Sequence, residues 1–143
     1  MSQSNTKKSI THQMADFAIN LKYSDIPAVS IKEAKRFLLD SVGCALAAVT
    51  NEDMAAMYRF IDKLGGRPEA TLIGSGARTN AANAALMNSL LVRALDYNDI
   101  YWKQDPSHPS DIIPAALACA ERAGGDVQHE GVGERCAYAI LAA

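Results

Sequence analysis

In residues 31–49, Ile31, Ala34, Leu38, Val42, Ala45 and Val49 follow one another at intervals of 3, 4, 4, 3 and 4, while Lys32, Glu33, Lys35, Arg36 and Asp40 fall largely between them. An α-helix puts such positions on one stripe, whereas a strand of this spacing would scatter them over both faces. A long amphipathic helix is therefore the element around which the rest must pack. Ser24 and Asp25 precede Pro27, so a side-chain oxygen is available to cap the helix and Pro falls in its first turn without loss of a hydrogen bond. Gly43 lies inside the run, where Gly is about 1 kcal/mol worse than Ala. Close approach of a second helix would account for it.

The same 3.6-residue period recurs on both sides. Ile10, Met14, Phe17, Ala18 and Leu21 predict a helix of about three turns starting near Ser9, behind a polar tail at residues 1–8. Met54, Met57, Ile61 and Leu64 mark a third helix, with Gly65 and Gly66 placed to terminate it in the left-handed conformation. The run ATLIG at 70–74 has the residues of one short strand, with no second strand evident to pair with it. Thr79 offers a cap for an alanine-rich helix to about Leu95, and Asp111 for another to Ala123, closed by Gly124 and Gly125. Pro114 is tolerated in that first turn. A last apolar helix begins near Gly133 and runs to Ala143 without a C-terminal signal, as if interrupted. The predicted fold is all-α with at most one short strand, in a single domain over residues 9–143.

Composition excludes several function classes. Fourteen Lys and Arg against sixteen Asp and Glu give a net charge of −2, which leaves no basic footprint for nucleic acid or anionic membrane. There is no run of roughly 18 apolar residues to span a membrane. Cys44, Cys119 and Cys136 are odd in number and form no CxxC pair, so neither a disulfide framework nor a zinc site is indicated. All three read as small core residues in a reducing, cytoplasmic compartment.

The chemistry concentrates in RALDYNDIYWKQDPSHPSD, residues 93–111, where acids, aromatics and an imidazole crowd into a connection between two helices. Loops held by rigid helices are where catalytic side chains converge. Asp96 sits at the carboxyl end of a predicted helix, where the macrodipole disfavours negative charge and favours a raised pKa. Partly buried against Tyr97, Tyr101 or Trp102, such a carboxyl could move a proton at carbon next to a carboxylate. His108, between Pro106 and Pro109, could act as general acid or as donor to a substrate carboxylate. Spacing alone equally allows Asp96 and Asp99 to be ordinary turn formers and His108 to be a solvated loop residue. His12 and His129 have no comparable neighbourhood.

Two other readings fail on spacing. Asp96, Asp99, Asp105, His108 and Asp111 lack the DxDxDG loop of a calcium site, and no second His stands at the helical spacing of a zinc protease, so no metal is expected. Gly74-Ser75-Gly76-Ala77-Arg78-Thr79 resembles a dinucleotide fingerprint but lacks the third Gly and the βαβ context, so it reads as a tight turn.

Three blocks in order are similar to the MmgE/PrpD family. AKRFLLDSVGCALA (residues 34–47) resembles its early helix, "AK…LLDTLGCALAG". GGRPEATLIGSG (65–76) resembles "GG…ATVIGSG", and LVRALDYNDIYWKQDPSHPSDIIPAALACAE (91–121) resembles "ALDYDDT…HPSD…PA(L)LA". The resemblance implies the amino-terminal part of a large all-helical domain, truncated at the carboxyl end, in a protein that forms homodimers when full length. It implies cofactor-free acid–base chemistry on a small polycarboxylate, as in 2-methylcitrate dehydratase, cis-aconitate decarboxylase and iminodisuccinate epimerase. Carried over by position, Asp96 and His108 are the implied catalytic residues, and Asp99 and Ser110 implied substrate contacts. Ile100 stands where the family commonly has Thr and cannot donate a hydrogen bond.

The expected function is that of a lyase, dehydratase or decarboxylase, whose site is finished by residues beyond this chain. An epimerase would use the same proton abstraction and return the proton to the opposite face. A non-catalytic fragment would only fold or associate through its apolar faces.

Overall fold

The computed structural model describes residues 8–104 and 106–124. Five helices account for most of them: α1 (Ile10–Asn20), α2 (Ala28–Ala48), α3 (Glu52–Leu64), α4 (Ala81–Arg93) and α5 (Ile113–Arg122). The tail at 1–7, Asp105, Cys136, His129 and the apolar helix expected from Gly133 onward lie outside the described residues.

Helix α4 is the centre. Its Ala81, Ala84, Met87, Asn88, Leu91 and Val92 are buried, and α2, α3 and α5 pack around it. The small Ala positions let neighbours approach closely, and Met87 and Leu91 fill the space between them. Ala45 and Ala48 of α2, Met54 and Ile61 of α3 and Ala118 of α5 complete one contiguous core. Helix α1 keeps its apolar face uncovered: Ile10, Met14, Phe17 and Ile19 are all exposed.

The mainly helical class agrees with the sequence, but the extended segment is not alone. Ala70–Thr71 (β1) pairs antiparallel with Arg78–Thr79 (β2), in register Ala70↔Thr79, and Tyr101–Trp102 (β3) pairs with Pro106–Ser107 (β4). The glycine-rich segment is the turn of the first hairpin. Gly74 is at φ +87, and a Cβ there would lie 2.5 Å from Val49 Cγ2, so both conformation and space demand glycine.

Several capping assignments move by one or two residues. Thr79 is a strand residue whose hydroxyl donates to the Gly65 carbonyl (2.8 Å), and Asn80 instead caps α4 by accepting from Asn83 N (2.8 Å). Ser24 and Asp25 lie in a short 3-10 turn, and Pro27 itself precedes α2 without a side-chain cap. Asp111 likewise belongs to a 3-10 turn, Pro109–Asp111, ahead of α5. Gly43 is exposed and a Cβ would meet nothing within 4 Å, so no described helix crowds it. Cys44 is buried as expected, whereas Cys119 is exposed. It lies on the solvent-facing side of α5, a distinction the cysteine count could not make.

Candidate active site

The site residues lie where α4 ends and the chain doubles back to α5. Asp96 closes the helix: its N–H donates to the Arg93 carbonyl (2.9 Å), and its φ of +49 puts it in the left-handed region usually left to Gly or Asn. Asp96 alone among the described non-glycine residues has a positive φ. Its side chain is 84% exposed, with Oδ1 3.3 Å from Arg93 Nη2. The burial against Tyr97, Tyr101 or Trp102 that the sequence suggested is not found, since all three rings are themselves exposed.

His108 follows β4 and opens the 3-10 turn. Its Nδ1 lies 2.6 Å from the Asp99 carbonyl oxygen. A carbonyl can only accept, so Nδ1 carries the proton, and in the neutral ring Nε2 keeps its lone pair. The hydrogen bond thus selects the tautomer in which Nε2 is the basic atom.

Asp99 grips the same turn a second time, its Oδ1 accepting from Ser110 N (3.2 Å). The other oxygen, Oδ2, is buried and has no hydrogen-bond partner among the described residues. Ser110 is 0% exposed, and its Oγ accepts from Asn98 Nδ2 (2.7 Å). Asn98 Oδ1 in turn accepts from Arg93 Nη1 (3.1 Å), and Arg93 Nε lies 3.9 Å from Asp111 Oδ1. Behind the turn is α2, where burial first, then the carboxylates of Asp40 and Asp99, push the Cys44 thiol up.

Of the residues picked from the sequence, Asp99, His108 and Ser110 are joined by direct hydrogen bonds. Among the described residues, Asp96 is linked to them through Arg93 and then Asn98. Arg93 and Asn98 were not singled out, although Arg93 stands three residues before Asp96, the helical spacing at which side chains meet. Among the described residues no three His, Cys, Asp or Glu side chains are grouped to hold a metal ion. A surface depression of about 260 Å³, lined by Tyr58, Asp62, Ser75 and Arg78 among others, lies by the first hairpin and includes none of the candidate residues.

The sequence matches the MmgE/PrpD N-terminal domain over residues 12–142, and the chain belongs to that family. It is similar to the cis-aconitate decarboxylase-like protein oryM of Aspergillus oryzae, 30% identical over 124 residues, covering 85% of this chain and 25% of that protein. The cis-aconitate decarboxylase of Aspergillus terreus is 29% identical over 122 residues (82% and 24%). The 2-methylcitrate dehydratase of Salmonella typhi is 30% identical over 116 residues (76% and 22%). The chain thus spans about a quarter of the length of these curated relatives. No helix among the described residues is long and apolar enough to cross a membrane.

Proposed function

We propose that this chain supplies the Asp96–His108 part of the active site of a lyase, a dehydratase or decarboxylase acting on a small polycarboxylate such as 2-methylcitrate or cis-aconitate. The names of the relatives support the reaction class. The observation that carries the proposal is the His108–Asp99 hydrogen bond, which leaves Nε2 as an acceptor able to take a proton and, once protonated, to return it.

In this reading His108 Nε2 exchanges a proton at the reacting centre. Asp96, exposed and held by Arg93, is the second acid–base group. Asp99 and Ser110, assigned from the sequence to the substrate, border the site, and the buried Ser110 serves it by holding the turn. No cofactor is invoked. The remaining site residues would come from the rest of a longer protein, of which residues 9–143 are the amino-terminal part of the helical domain. We take its working form to be a cytoplasmic homodimer, a reading supported by family resemblance.

In the full-length protein, assayed with cis-aconitate and 2-methylcitrate, Asp96→Asn and His108→Ala should each lower kcat about 100-fold or more, the effect expected for loss of a general acid or base. Wild-type rates in both variants would overturn the assignment. Product analysis distinguishes elimination from epimerisation.

A further inference from the structure

The polarity of the Arg93–Asn98–Ser110 hydrogen bonds is set at the guanidinium. A guanidinium has five donors and no acceptor, so the Asn98 atom facing Arg93 Nη1 must be the oxygen. That fixes which way round the Asn98 amide sits and turns its NH2 toward Ser110 Oγ, 2.7 Å away. Ser110 is fully enclosed, and its backbone N–H donates to the carboxylate of Asp99, the residue next to Asn98. Consecutive residues 98 and 99 therefore hold Ser110 by two bonds, and it is from this tethered segment that the Asp99 carbonyl meets His108 Nδ1.

We infer that Asn98, oriented by Arg93, is a positioning residue that sets the tautomer of His108. The inference rests on the acid–base role proposed for that imidazole, because only such a role gives the tautomer a consequence. With Asn98 in place, Nδ1 is the protonated nitrogen and Nε2 the basic one. Without it, Ser110 loses its side-chain anchor and keeps only its backbone bond to the Asp99 carboxylate, the Asp99 carbonyl is held less firmly, and the ring shifts toward the Nε2–H form, which cannot accept a proton at the reacting side. The exposed ion pair of Arg93 with Asp96 has a separate consequence: the same guanidinium holds one proposed acid–base group directly and orients the other through Asn98.

The test reads the imidazole itself. The full chain has three His residues, so ¹⁵N-labelled His gives three ring spin systems, and His108→Gln identifies the relevant one. In the wild type at a pH where the rings are neutral, His108 should show Nδ1 protonated and Nε2 unprotonated. In Asn98→Leu its tautomer ratio should move three- to tenfold toward Nε2–H, on the order of the weight of one hydrogen bond, with His12 and His129 unchanged. Arg93→Met, at a half-exposed position, should move it in the same direction and provides the measurement if Asn98→Leu fails to fold. An unchanged His108 ratio in a folded variant overturns the inference. If the tautomer responds while His108→Ala leaves turnover in the full-length protein intact, the positioning stands and the acid–base role fails instead.

Discussion

Asp99 uses its main chain and its side chain for different partners, His108 through the carbonyl and Ser110 N–H through Oδ1. Removing the carboxylate should therefore be felt as a buried N–H left without an acceptor. Asp99→Ala is expected to destabilise the chain by about 1–3 kcal/mol in urea unfolding, whereas Asp99→Asn, which keeps the acceptor, should lose much less. Equal losses would show that charge, and not the Ser110 bond, is what matters. Gly43 makes the opposite case. With nothing within 4 Å of a built Cβ, Gly43→Ala should stabilise the chain by up to about 1 kcal/mol, and a destabilised variant would reveal a neighbour that the described residues do not contain. Cys44 adds a pH dependence. Its thiol is pushed up, so the folded chain keeps that proton above the ordinary thiol value of about 8.5, at which the unfolded chain releases it. The unfolded state then binds fewer protons, so this contribution is complete below about pH 8.5 and declines as pH rises toward the folded value. Urea midpoints should fall over that range, less steeply in Cys44→Ala; identical slopes would exclude Cys44 as the source.

Helices α4 and α5 and the first hairpin are tied together by polar side chains that replace missing backbone partners. Asn88 on α4 accepts from Ile73 N (2.9 Å) and donates to the Thr71 carbonyl (2.9 Å), serving the open edge of β1 as a neighbouring strand would. Glu121 on α5 accepts from Thr71 N (3.1 Å) and Thr71 Oγ1 (2.6 Å), with Arg78 Nη1 at 3.5 Å. Glu121→Ala should therefore loosen α5 against the hairpin and lower stability by about 1–3 kcal/mol, visible as faster hydrogen exchange at Thr71 N. Unaltered exchange there would mean that apolar packing alone seats α5. These ties explain why a hairpin of two-residue strands persists in a chain whose periodicity is helical.

Among the described residues, several large apolar side chains stay outside the core. Ile10 (75% exposed) and Ile19 (81%) on α1, Leu39 (76%) on α2 and Trp102 (72%) on β3 leave large apolar surface in water among the described residues. Surface of that kind promotes association. The 143-residue chain should bind a hydrophobic dye and sediment with concentration-dependent mass, and Phe17→Lys together with Leu39→Lys should reduce both. Dye-negative, monomeric behaviour of the parent would mean that these faces are covered within the chain.

Helix existence and order were legible because the 3.6-residue period is a local property, and the polar connection between α4 and α5 stood out because its acids and imidazole adjoin in the sequence. The family blocks were legible for the same reason. Cap positions slipped where two good candidates adjoin, as with Thr79 and Asn80, since only the hairpin decides which hydroxyl or amide is free to cap. Which apolar faces meet, that Cys119 stays exposed while Cys44 is buried, and that Arg93 and Asn98 stand behind His108 are relations between residues distant in the fold or turned by a backbone reversal at Asp96. Periodicity assigns each residue to a face of its own helix. Which neighbour that face meets is settled by the close packing of several elements at once, and only the tertiary structure carries that information.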